Sequence, residues 1–319
     1  MAIFKTQVVS EHEDGAISSA VELLRAGNLV AIPTETVYGL AADATEHCAV
    51  QQIYEAKGRP SNNPLICHVS DIEMAKSYVV VPPIAEKMMQ RFWPGPLSLV
   101  LEMRQATKIA LPVSAGLHTL AVRCPDHEIT RQIIRALGHP IAAPSANPSG
   151  KLSPTSVADV KTGLGGKIPL IIDGGNTDVG IESTIVGVRA GKLYLLRPGT
   201  VTADDISQAM GEPVFDRDNS EITAPGQLAS HYAPTAHVRM NASHADDSEI
   251  MIGFGDVAGN YTLSHSGDLR EAAQNLFRIL RAADNTGAQT IAVAPIPNHS
   301  IGIAINDRLK RAAAPREAT

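Results

Sequence analysis

Residues 32–44 read IPTETVYGLAADA and residues 57–69 read KGRPSNNPLICHV. In the first, an apolar run enters a Thr-Glu-Thr turn. In the second, Lys57, Arg59, two prolines and His68 fall within twelve residues. A structural loop needs none of this, whereas a site for a small polar substrate and a polyphosphate uses such groups. Around these stretches the apolar pattern alternates between periods. Residues 28–33 and 65–69 read as buried strands. Residues 16–26 and 45–57 read as helices, the second with Thr45 as N-cap and Gly58 as its stop.

The alternation continues outward. Helices are expected at 82–91 and 128–137, a strand after the Pro-Gly-Pro break at 94–96, and another at 119–123. Residues 153–160 read as a helix start, 168–173 as a strand, and 183–188 with 193–196 as a hairpin. Residues 211–229 carry two prolines and no periodicity, so they read as a linker. Beyond them strands are expected at 237–240, 250–254 and 290–294, with helices at 269–283 and 303–313. The fold class that follows is α/β, with a larger unit over 1–210, a linker or lid over 211–235 and a smaller α/β unit over 236–319.

The chain has 319 residues, longer than most single cores. Aromatic residues make up 4%, so Val, Ile, Leu and Ala must build the core. Few aromatics and a net charge of −6 argue against a general nucleic-acid binder, which presents a basic stripe or a stacking platform. The three cysteines are widely spaced with no CxxC, so neither a zinc ribbon nor a disulfide framework is indicated. No secretory signal and no long apolar run is present, so a cytoplasmic location without membrane insertion is expected.

The polar motifs fall at strand and helix ends. Lys57 and Arg59 suit phosphate oxygens, one as a point charge and one as a fork, although cations at a helix end also answer the helix dipole. Ser145 and Asn147 follow a short strand, where α/β sheets hold ligands, or simply cap a turn. Arg197 is a second phosphate clamp or an edge charge, and His68 is an interior histidine or a ligand contact. His231 and Tyr232 are unexpected in a mere tether and suggest that the linker packs on something. No GxxxxGK[ST], strand-helix GxGxxG, HExxH or GxSxG is present. Catalysis by positioning and electrostatics is therefore favoured over a covalent intermediate.

Taken in register, TETVYGLAADA (34–44), KGRPSNNPL (57–65), WPGPLS (93–98), VRCPDH (122–127), PSANPSG (144–150), GIESTIV (180–186) and LRPG (196–199) resemble the threonylcarbamoyl-AMP synthase family, whose catalytic part is the YrdC-type domain. The resemblance spans residues 16–210. PGQLASHYAP (225–234) and residues 236–313 resemble the extra C-terminal domain of the long form. It implies a YrdC-like twisted, mixed open sheet with flanking helices, plus a Rossmann-like α/β domain. The implied reaction joins L-threonine, bicarbonate and ATP into threonylcarbamoyl-adenylate and pyrophosphate with Mg2+, ahead of a partner transferase that modifies tRNA, with at most weak tRNA binding by this chain. By position, Lys57 and Arg59 are the catalytic cations. Thr34, His68, Arg123 and Ser183 hold threonine. Lys57, Arg59, Ser61, Thr119, Ser145, Asn147, Ser153, Arg197 and Tyr232 hold ATP, with Thr119 and Tyr38 as wall residues. A related domain occurs in carbamoyl-phosphate-using hydrogenase-maturation proteins, but those carry zinc-binding CxxC pairs that this chain lacks.

Overall fold

The computed structural model describes residues 4–216 and 231–315. Eleven strands form its larger sheet: β1 (Gln7–Ser10), β2 (Val30–Ile32), β3 (Gly39–Asp43), β4 (Ile66–His68), β5 (Leu97–Glu102), β6 (Thr119–Arg123), β7 (Ile141–Ala142), β8 (Leu170–Asp173), β9 (Thr184–Arg189), β10 (Lys192–Arg197) and β11 (Val214–Asp216). Their order across the sheet is β1-β8-β2-β3-β7-β4-β6-β5-β9-β10-β11. Pairing is mixed, as expected: β1 runs parallel to β8 and β4 to β6, whereas β2–β3, β5–β6 and β9–β10 are antiparallel. Helices on both faces close separate cores, one around Leu40, Ile53, Met88 and Leu99 and one around Leu24, Ile32, Ile133 and Ile172.

Helix ends follow the sequence closely where glycine supplies the left-handed stop. His47–Lys57 ends at Gly58 with φ 60°, and Glu128–Leu137 ends at Gly138 with φ 83°. Other expectations are corrected. Thr45 is not the N-cap of its helix; that position is Glu46, while the Thr45 hydroxyl and amide both bond to Asp43. The helix expected from residue 153 begins at Val157, because Ser156 and Asp159 form a reciprocal capping box there. The stretch expected to be linker from 211 opens with β11, an edge strand parallel to β10. Residues 217–230, including Pro225 and Gly226, lie outside the described residues. Strands β1 and β3 were not legible: β3 reads GLAAD, poor strand formers, yet all five residues are buried between β2 and β7.

The second sheet is small and wholly parallel, with order β12 (His237–Arg239), β15 (Thr290–Val293), β13 (Glu249–Gly253), β14 (Tyr261–Thr262). The amphipathic helices Leu269–Asp284 and Ile301–Ala313 pack with it around Leu276, Phe277, Leu280 and Leu309. This core also takes in Val37, Leu152 and Ile181 from the first unit, so the two units share buried apolar surface.

Gly180 makes that contact possible. Its φ is +78°, and a Cβ there would lie 2.5 Å from the backbone Cα and O of Gln274. Gly180→Ala therefore forces both a left-handed alanine and a backbone clash, an expected cost above about 2 kcal/mol. A thermal melt within about a degree of wild type would contradict this packing.

Candidate active site

The site lies on a face of the large sheet, not only at strand ends. Ile66 and His68, alternate residues of β4, both line one cleft, and Arg123 enters from β6 in register with His68. The walls are the turn after β2 with Thr34, Thr36 and Val37, the segment after β7 through Ser145, Glu182 and Ser183 before β9, Arg197 at the end of β10, and Arg59 beyond the helix stop. His231 and Tyr232 close the cleft from the linker side. Both are buried, and Tyr232 stacks edge-on with His231 and packs against Phe277 of the second unit.

At one end the Thr-Glu-Thr turn is tied internally. The Thr34 hydroxyl donates to Val37 O at 2.7 Å and pairs with the Thr36 hydroxyl. Arg123 is held by three groups: Nε donates to Gly95 O, Nη1 to Thr36 Oγ1 at 2.9 Å, and Nη2 pairs with buried Glu35 at 2.5 Å. A guanidinium has five N–H donors, so two are left to a ligand. His68 is buried beside it, and its Nδ1 finds no hydrogen-bond partner. Desolvation first, and the Arg123 charge second, push its pKa down to about 3, so the ring is neutral at physiological pH. Ser183 shares a 2.8 Å hydrogen bond with Ser98.

At the other end two guanidiniums converge. Arg59 is fixed by Asn63 O and Pro64 O, and burial with neighbouring Arg197 lowers its pKa to about 10, which leaves it charged. Arg197 donates through Nε and Nη2 to Ser183 O at 3.0 and 2.9 Å and through Nη2 to Ser183 Oγ at 3.1 Å. Burial lowers its pKa as well. His231 is kept neutral by burial and by Arg59, Lys57 and Arg197, and its Nδ1 is unpartnered.

The residues expected at the site divide into three groups. Thr34, His68, Arg123, Ser183, Arg59, Ser145, Arg197 and Tyr232 line the cleft together. Lys57, Asn147 and Ser153 stand behind its wall. The Lys57 ammonium donates to Ser145 O and Asn147 O, the Asn147 amide to Pro148 O and Lys151 O, and the Ser153 hydroxyl to Glu182. These three order the lining loops. Burial drives the Lys57 pKa well below its usual value. Ser61, Thr119 and Tyr38 are elsewhere. Ser61 is exposed in a neighbouring groove on the far side of Arg59. Thr119 begins β6 whereas Arg123 ends it, which separates them by about 13 Å at about 3.3 Å per residue. Tyr38 bonds Gly174 and Gly175 instead of lining the cleft. Glu35 and Glu182 were missed as site residues although their motifs were read, because a buried acid's partner is invisible in sequence.

Among the described residues no group of three His, Cys, Asp or Glu side chains is placed to hold a metal. Nor is any helix among them long and apolar enough to cross a membrane.

Residues 22–199 match the Sua5/YciO/YrdC family, described as "Telomere recombination", and residues 201–314 match that described as "Threonylcarbamoyl-AMP synthase, C-terminal domain". The threonylcarbamoyl-AMP synthase of Pyrococcus abyssi is 39% identical, over 94% of either chain. That of Bacillus subtilis is 38% identical, over 95% of this chain and 94% of its own. The crystal structure of P. abyssi Sua5 complexed with L-threonine superposes with a TM-score of 0.87 at 37% identity, covering 97% of both chains.

Proposed function

The chain belongs to the threonylcarbamoyl-AMP synthase family in its long form, and we propose that the cleft over β4 and β6 is where its chemistry runs. It is a nucleotidyltransferase that makes L-threonylcarbamoyl-AMP from L-threonine, bicarbonate and ATP, with release of pyrophosphate, for N6-threonylcarbamoyladenosine modification of tRNA. One observation carries the placement. Three guanidiniums, those of the buried Arg123 and Arg197 and of the half-buried Arg59, reach a single cleft beside a neutral His68.

Threonine belongs at the Arg123 end, with its carboxylate on the two remaining N–H donors. The Thr34 and Ser183 hydroxyls and the neutral His68 ring would hold its polar groups without adding charge. The amine combines with bicarbonate to give an N-carboxylate and water. A carboxylate oxygen then attacks the α-phosphorus, and the bond to pyrophosphate breaks. Negative charge grows on the departing phosphates, where Arg59 and Arg197 are already fixed by backbone carbonyls. Preorganised donors of this kind need no rearrangement as charge develops. Lys57 contributes by fixing the Ser145–Asn147 loop, and Tyr232 and His231 exclude water from a labile mixed anhydride.

Among the described residues magnesium has no fitting site of the chain's own: the carboxylate lining the cleft, Glu182, already accepts from Ser153 and Arg308. We therefore assign any magnesium to the phosphates of ATP. We read residues 1–210 as the catalytic domain, 211–235 as linker or lid and 236–319 as a second domain. The cytoplasm, where ATP is made available and thiols such as Cys67 and Cys124 stay reduced, is the compartment we assign. The product then passes to a tRNA threonylcarbamoyl transferase, with at most weak tRNA contact by this chain.

The test is pyrophosphate release with each amino acid offered in turn, with and without bicarbonate, and the adenylate identified by mass. Release only with threonine and bicarbonate is expected. Release without bicarbonate would mean plain amino-acid adenylation, and no release with any amino acid would overturn the reading.

A further inference from the structure

A carboxylate in a cleft for a polyanion has the wrong sign, yet Glu182 lines this one together with Arg59 and Arg197. The resolution comes from the second unit. Arg308, on helix Ile301–Ala313, is 0% exposed and reaches 126 residues back in sequence. Its Nε donates to Glu182 Oε2 at 3.0 Å, its Nη1 to Pro198 O at 2.7 Å and its Nη2 to Glu182 O at 3.3 Å. The ring of Tyr232 lies over its guanidinium at 5.5 Å. The other carboxylate oxygen, Glu182 Oε1, accepts from Ser153. Ser153 is clamped a second time from the same unit: Arg281 of helix Leu269–Asp284 donates to Ser153 O at 3.0 Å and pairs with Asp159 at 2.9 Å.

We propose that Arg308 is a positioning residue for the nucleotide. It neutralises and orients Glu182, and so makes ATP binding in the catalytic cleft conditional on the second unit being docked. The reading rests on ATP being bound in this cleft. Its physical basis is that a buried ion pair adds little net stability while intact, but removing one partner leaves an uncompensated charge at high cost. Here that bare charge would face the phosphates. The Ser153 loop would also lose its anchor, because the Ser153 hydroxyl is held by the same carboxylate. Coupling is reciprocal: if docking favours ATP, ATP favours docking by the same factor.

The experiment compares wild type with Arg308→Gln, Glu182→Gln and the double variant, by KM for ATP and KM for threonine. Arg308→Gln should raise KM for ATP by roughly tenfold or more. Its KM for threonine should stay within about threefold, since the charge defect faces the phosphates. Glu182→Gln added to it should bring KM for ATP back to within about threefold of wild type, which a merely structural role for Arg308 would not do. An unchanged KM for ATP in Arg308→Gln overturns the proposal, and so does a double variant no better than the single one. Should Arg308→Gln alone fail to fold, a double variant that folds but has a KM for ATP more than about threefold above wild type overturns it. ATP affinity by calorimetry on the full chain is read in parallel with the same criteria. A wild type that binds ATP without releasing pyrophosphate would then count against the activity, not against the coupling.

Discussion

Arg59→Ala lowers threonine-dependent pyrophosphate release by about 10²–10³-fold while the chain stays folded. The expected size is that of removing one preorganised donor from a site of developing charge. Arg59 is suited to that part because Asn63 O and Pro64 O fix its guanidinium before any ligand arrives. Proline on either side of the loop stiffens the approach, and Arg197 supplies the second cation. Arg59→Lys keeps the charge but loses the planar fork, so it should recover only part of the rate. Turnover at the wild-type level in Arg59→Ala, with circular dichroism unchanged, would remove Arg59 from the mechanism.

The second large effect is on stability in acid. His68 titrates near 6.5 when unfolded and at about 3 when folded. Between those values the unfolded chain binds the extra proton, so stability is complete above about pH 6.5 and falls as the pH drops toward 3. At pH 5 the loss from His68 is about 2 kcal/mol, taking about 1.4 kcal/mol per pH unit over 1.5 units. His231 adds to it with the same sign, since burial and four neighbouring basic side chains hold it neutral. Urea unfolding at pH 7.5 and pH 5.0 measures the difference. His68→Asn removes this titration, so its loss over the same interval should be smaller by about 2 kcal/mol. Equal losses in the variant and the wild type would show that His68 does not titrate in this way.

What could be read in advance followed from local physics. Glycine stops at Gly58 and Gly138, the period change between strand and helix, and the polar motifs at element ends are all set within a few residues. The linker reading of His231 and Tyr232 as packed residues was legible because aromatic side chains in a tether have no other use. What could not be read depends on partners distant in sequence. Strand β3 exists because β2 and β7 flank it, not because GLAAD prefers to be extended. Thr119 and Arg123 share a strand, but only the sheet's register decides which end meets the cleft. Ser153 looked like a ligand group because its acceptor, Glu182, and that acceptor's cation, Arg308, meet only after the second unit folds back.

The parallel pairing of β1 with β8, Gln7 against Leu170, also has a consequence in time. Some 160 residues separate the two strands, and a ribosome adding about 5–20 residues per second needs about 10–30 s to make that length. Throughout that interval β2 has no neighbour on its β8 side, and β1 has no partner at all. Unpaired apolar strands of this kind invite association with other chains. Folding of the nascent protein is thus paced by synthesis, and its demand for chaperones should peak before residue 170 emerges.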